Sequence, residues 1–216
     1  MKVDITSTTL EKGIETVKAF LQKLISPPIE ELGLLLGDNV RLWRFKNQIK
    51  ILQKADEYFK SKNLDPKQIP LKVLVPLLEA ASLEEDEDLQ NKWAALLVNY
   101  VDSTKSFTST VYPYILAQIS TSEAKGLEYI GTNANSKLST RNKVRYHDVA
   151  YRFNLFDANF SNLLRLGVIR EVHEVITEPT PTTFGSSTPV VYLKEVPDIQ
   201  ATELGIDFLE ACKLKD

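Results

Sequence analysis

Apolar residues recur at helical spacing through most of the chain as far as Leu166, and only past Gly167 does their period fall to two. This change of period constrains the fold more than any other feature, because a 3.6-residue stripe is buried by a helix and a two-residue alternation by a strand. The chain therefore reads as mainly α. An N-terminal helical array over residues 1–131 is followed, over residues 132–216, by a winged-helix-like module with a small two-stranded β-hairpin.

The helices carry start and stop signals. Thr8 with Glu11 reads as a capping box for a helix through Leu10, Ile14, Val17, Leu21, Leu24 and Ile25. Pro27 stops it and Pro28 opens a long second helix to Lys62, with Asn63 as its C-terminal stop. A short apolar helix spans Leu71 to Ala81 around Pro76, and Ser82 with Glu85 reads as a second capping box, for a helix carrying Leu89, Trp93, Leu96, Leu97 and Tyr100. Pro113 opens a helix to about Ile119, and Ser120 with Glu123 forms a third box for a helix to about Ile130. The Asn-, Ser-, Thr- and Lys-rich stretch from Gly131 to Thr140 reads as an exposed linker. A helix from Val144 to about Asn154 and another ending at Leu166 follow, then alternation over Val168–Thr177. A hairpin tip spans Glu178 to Pro189, Val190–Leu193 forms a second strand, and Thr202 caps a last helix to Lys213.

Charge narrows the function classes. With 26 basic and 29 acidic residues the net charge is −3, which excludes a globally basic nucleic-acid coat. The single cysteine, Cys212, cannot form an intramolecular disulfide, and Met1–Leu10 lacks the pattern of a signal peptide. A cytoplasmic setting without membrane insertion is expected. Gly33 and Gly37 have the spacing of a membrane helix contact, but Asp38, Arg41 and Arg44 break the apolar surround such a contact needs. Phosphate-loop, zinc-protease, esterase and C-x-x-C motifs are all missing, so no catalytic residue, metal site or cofactor is expected.

Distribution matters more than the sum. Arg41, Arg44, Lys46, Lys50 and Lys54 follow one another with no intervening acid, and the three lysines step by four along one helix face with Trp43 and Phe45 between them. Such a face can hold an acidic protein or phosphates, or it can be the solvated side of a helix over a buried Trp43. Arg41, Trp43, Arg44, Lys46 and Lys50 are the candidate partner-binding residues. Arg41 and Arg44 also suit carboxylate pairing, with Glu79 or the run Glu84–Asp88 as the nearest supply. Those acids read as helix-capping and solubilising residues. His147, His173 and Cys212 lack a nucleophile signature. From Lys137 to Arg170, seven cations stand against two acids, which makes the C-terminal module locally basic. If its second helix enters a major groove, Arg145, Asn159, Asn162 and Arg165 are the candidate nucleic-acid-binding residues.

Several blocks resemble the abortive-infection alpha family: Glu30-Glu31-Leu32-Gly33, Leu42-Trp43-Arg44-Phe45-Lys46-Asn47, Ile69-Pro70-Leu71, Glu79–Glu85, and the closing Thr202–Phe208. The resemblance covers Pro28 to Lys213 and implies a role in bacterial resistance to phage, without bringing a catalytic residue set. The expected function is that of a sensor or effector that binds a protein partner or a second copy of itself, and the reading leans away from an enzyme. A DNA-binding regulator and an enzyme of unrecognised type are the alternatives.

Overall fold

Asparagines in the left-handed conformation end two of the helices, at Asn63 and at Asn154. The computed structural model describes residues 7–25, 39–104, 109–134, 143–179, 189–193 and 196–214. The first helix, α1 (Ser7–Leu24), is followed by the long α2 (Asn39–Lys62). At Asn63 the backbone turns left-handed, φ 51°, a conformation that asparagine tolerates, and α2 stops as its sequence predicts. Helix α3 (Leu71–Ala81) has the predicted bounds; it buries Val73, Leu74, Leu77 and Ala81 and leaves Pro76, which cannot donate a helical hydrogen bond, on its exposed side. Helix α4 (Glu87–Val101) is buried at every residue from Trp93 to Val101, so it is the central rod of the N-terminal core, and α5 (Val111–Leu116) follows it.

Helix α6 (Thr121–Ala134) opens with the predicted capping box: Ser120 N–H donates to Glu123 Oε2 at 2.7 Å, and Glu123 N–H donates to Ser120 Oγ at 3.2 Å. Then come β1 (Val144–Arg145), α7 (Tyr146–Phe153), α8 (Asp157–Arg165), β2 (Ile169–Val172), β3 (Val175–Pro179), β4 (Pro189–Leu193), β5 (Asp198–Ala201) and α9 (Glu203–Ala211). Strands β1, β5 and β2 form an antiparallel sheet in that order, and β3 and β4 form a separate antiparallel pair. The chain resolves into two compact units, Met1–Gln118 with Glu210–Asp216 (unit 1) and Ile119–Leu209 (unit 2).

Thr202 caps α9 as predicted, accepting from Gly205 N–H at 3.0 Å, while its hydroxyl donates to Gly167 O at 2.6 Å. Only glycine fits at 205: a Cβ there would lie 2.1 Å from the Val168 carbonyl oxygen.

Five local expectations are corrected. Ser82 does not cap α4; it closes α3, and Asp86 caps α4 by accepting from Leu89 N–H at 3.1 Å. Gly131–Ala134 continue α6, and the missing side chain of Gly131 lets Leu209 approach closely. Val144 begins a two-residue strand before its helix, and the alternating run Val168–Thr177 is split between β2 and β3, which belong to different sheets. Helix α5 starts two residues before Pro113. Pro27, Pro28 and the Gly33–Gly37 pair lie outside the described residues.

Candidate functional site

The basic helix is partly scaffold and partly free surface. Arg44, Asn47 and Gln48 are spaced by three and four, so they share a face of α2, and together they meet the C-terminal end of α3. Arg44 Nε donates to Ser82 Oγ at 2.9 Å and Arg44 Nη2 to the Glu79 carbonyl at 3.4 Å. Asn47 Nδ2 donates to the Ser82 carbonyl at 3.0 Å, and Gln48 Nε2 to the Leu78 carbonyl at 3.0 Å. Helix ends leave carbonyls without intrahelical donors and carry negative partial charge, so this cluster satisfies α3 both as donors and as a cation. The carboxylate pairing expected of Arg44 is therefore corrected: among the described residues its acceptors are the Ser82 hydroxyl and the Glu79 backbone carbonyl. Asn47 and Gln48 went unnoticed in the sequence; their i+3 and i+4 offsets from Arg44 were the available signal.

Lysines further along α2 face elsewhere. Lys54 Nζ donates to Asn91 Oδ1 at 2.5 Å and lies 3.8 Å from Glu87 Oε1, so the basic helix does meet the acidic turn. Lys50 is exposed and Lys46 half-exposed. Arg41 and Trp43 stand on the same helix, with side chains outside the described residues. Beside Lys54, a shallow groove of about 390 Å³ is lined by Glu57, Tyr58, Ser61, Asn91, Ala94 and Leu214.

In unit 2 the candidate base-reading residues are engaged internally. Asn159 Oδ1 accepts from Phe156 N–H at 2.9 Å and so helps to start α8. Asn162 Nδ2 donates to Glu123 Oε1 at 3.1 Å, and Asn162 Oδ1 accepts from Arg165 Nη2 at 2.7 Å. Arg145 is exposed on β1, in register with Asp198 of β5. Phe160 and Leu163 are buried, Leu164 beside them is half-buried, and Tyr151 is 93% exposed.

Buried polar groups in unit 2 are scaffold as well. Lys143 Nζ sits 2.9 Å from the buried Asp198 carboxylate and 3.4 Å from Glu174. The hydrogen bond to Asp198 holds the Lys143 ammonium above the ordinary lysine pKa, against some desolvation. Burial first, and then its hydrogen bond to Asp157, push the Tyr146 hydroxyl up to about 12. In unit 1, burial raises the Tyr100 hydroxyl, which donates to the Ser109 carbonyl. Cys212 is buried, and His173 contacts Glu171 at 3.4 Å. Among the described residues no group of three or more His, Cys, Asp or Glu is placed to hold a metal ion, and no helix is long and apolar enough to cross a membrane.

The family model described as abortive infection alpha matches residues 39–212. That span contains four of the five blocks on which the resemblance rests, from Leu42–Asn47 to Thr202–Phe208. No curated protein and no solved structure matches the chain.

Proposed function

The chain belongs to the abortive infection alpha family, and from that membership we propose that it acts in the cytoplasm, in defence against phage, by binding a partner through the outer face of α2. The observation that carries this reading is the division of labour along the helix. Arg44 is committed to the end of α3, whereas Lys46 and Lys50, on the outer side, have no ion-pair partner among the described residues. Arg41 and Trp43 precede them on the same helix. An exposed cationic stripe steers an acidic partner and sets its orientation. Phage challenge of cells carrying the wild-type chain or Lys46→Glu/Lys50→Glu, with identification of what copurifies, tests it. Loss of protection with an unchanged melting temperature is expected; full protection by the folded double variant overturns it.

A second reading rests on topology. The order α6, β1, α7, α8, β2, hairpin, β5, with sheet order β1-β5-β2, supports a winged-helix arrangement in which α8 is the recognition helix and β3–β4 the wing. A DNA-binding regulator then follows by fold analogy. It ranks second because Asn159 and Asn162 already spend polar groups inside the fold. Salt-dependent affinity for duplex DNA, lost in Arg145→Ala/Arg165→Ala, promotes it to first place. Turnover of nucleic acid or nucleotide by the purified chain displaces both readings in favour of an enzyme.

A further inference from the structure

Two runs of opposite charge lie in the same unit. Arg41, Arg44, Lys46, Lys50 and Lys54 stand on α2 with no acid among them, and Glu84, Glu85, Asp86, Glu87 and Asp88 lead into α4 with no base among them. The runs adjoin, because Lys54 reaches both Glu87 and, one turn further along α4, Asn91. Away from that seam, Lys50 is exposed on the basic side and Glu85 and Asp88 on the acidic side, with Lys46 half-exposed. At the seam the groove beside Lys54 offers Tyr58 and Leu214 as surface that an occupant would cover.

A patch of one sign attracts any molecule of the other sign. Adjoining patches of opposite sign are different: a half-turn about an axis through their seam lays each patch on its opposite. Such a surface is complementary to a copy of itself, which is the condition for an isologous two-fold interface. We propose that this face of unit 1 is a self-association surface, with Lys46 and Lys50 of one copy set against Glu85 and Asp88 of a second copy. The proposal rests on the reading of α2 as a binding face and names the partner as this same chain.

Sedimentation of the full chain across protein concentration tests it, in about 50 mM and about 500 mM salt, a range over which the Debye length falls roughly threefold. A dimer is expected whose association constant drops by about tenfold or more at the higher salt. Lys46→Glu/Lys50→Glu and Glu85→Lys/Asp88→Lys are each expected to sediment as folded monomers, the second with a somewhat lower melting temperature because Asp88 lies in the first turn of α4, and an equimolar mixture of the two to recover the dimer. A wild-type chain that stays monomeric at every concentration overturns the proposal, as does a dimer indifferent to salt and to both variants. Phage challenge separates this failure from that of the underlying reading. A monomeric wild type whose Lys46→Glu/Lys50→Glu variant loses protection keeps the binding face and assigns it a different acidic partner. A dimer broken by the variant while protection persists keeps the self-association and removes its role in defence.

Discussion

A guanidinium that donates to a hydroxyl and to a backbone carbonyl is held by geometry as much as by charge, and its removal is costly only where its acceptors cannot turn to water. Arg44 has one half-buried bond to Ser82 and a longer, exposed one to Glu79, so Arg44→Ala is expected to cost about 1 kcal/mol. Asn47 is buried, and Asn47→Ala strands the Ser82 carbonyl, at a cost of about 1–3 kcal/mol. Urea unfolding of the two variants checks the order; a larger loss for Arg44→Ala contradicts it, and unchanged stability with lost phage protection refutes the scaffold role of Arg44. Proton linkage acts at the same scale. Tyr100, Tyr146 and Lys143 all have pKa values raised in the folded state, so the folded chain keeps protons that the unfolded chain releases. Their contribution to stability is complete below about pH 10 and is lost as pH rises through the folded values, which for Tyr146 means about 12. Thermal melts at rising alkaline pH are expected to show a falling midpoint, and Tyr146→Phe to flatten that fall; an equally steep decline in the variant removes Tyr146 from the account.

Elements declare themselves in the sequence to the extent that their ends are decided locally. The bounds of α3, the stop at Asn63, the box at Ser120 and Glu123 and the cap at Thr202 were all legible, because each depends on residues within one turn. Ser82 was misread for the complementary reason: the Ser-x-x-Glu spacing is a local pattern, and the contact that decides its role comes from Arg44 and Asn47, more than thirty residues earlier. Strand β1 is two residues long and gains its partner from β5, far along the chain, so no window of sequence contains the pair. Within the candidate site, the spacing of Lys46 and Lys50 placed them on one helix face, but nothing local reveals that Arg44 is committed to α3 or that Asn162 is held by Glu123. The α6 cap turns this distinction into a measurement. Ser120→Ala removes a local cap and is expected to cost about 1 kcal/mol. Glu123→Ala also deprives Asn162 of its acceptor inside unit 2, so about 2 kcal/mol is expected. Thermal melts followed by circular dichroism decide; equal losses would mean that the bond to Asn162 contributes nothing.

At the scale of the whole molecule, the last residues belong with the first helices and not with the module that precedes them in sequence. Unit 1 takes in Glu210–Asp216, where Asn99 Nδ2 donates to the Ala211 carbonyl at 2.7 Å and the Lys213 carbonyl at 3.1 Å, and where Cys212 is buried. A terminal segment is ordinarily dispensable, but one whose backbone carbonyls are acceptors for a buried side chain is not. Truncation after Ala211 takes the Lys213 carbonyl from Asn99, removes the buried thiol and strips Leu214 from the groove beside Tyr58. A loss of about 1–3 kcal/mol is expected, which lowers the melting temperature of a unit of this size by at least a few degrees. The sequence supplies its own reporters for where that loss falls. Both tryptophans, Trp43 and Trp93, lie in unit 1, and both histidines, His147 and His173, lie in unit 2. Tryptophan fluorescence therefore follows one unit and the imidazole proton resonances the other. Truncation is expected to lower the fluorescence midpoint and to leave the histidine midpoint in place. An unchanged fluorescence midpoint refutes the assignment of the terminal segment to unit 1, and two midpoints that fall together show that the units unfold as one cooperative body.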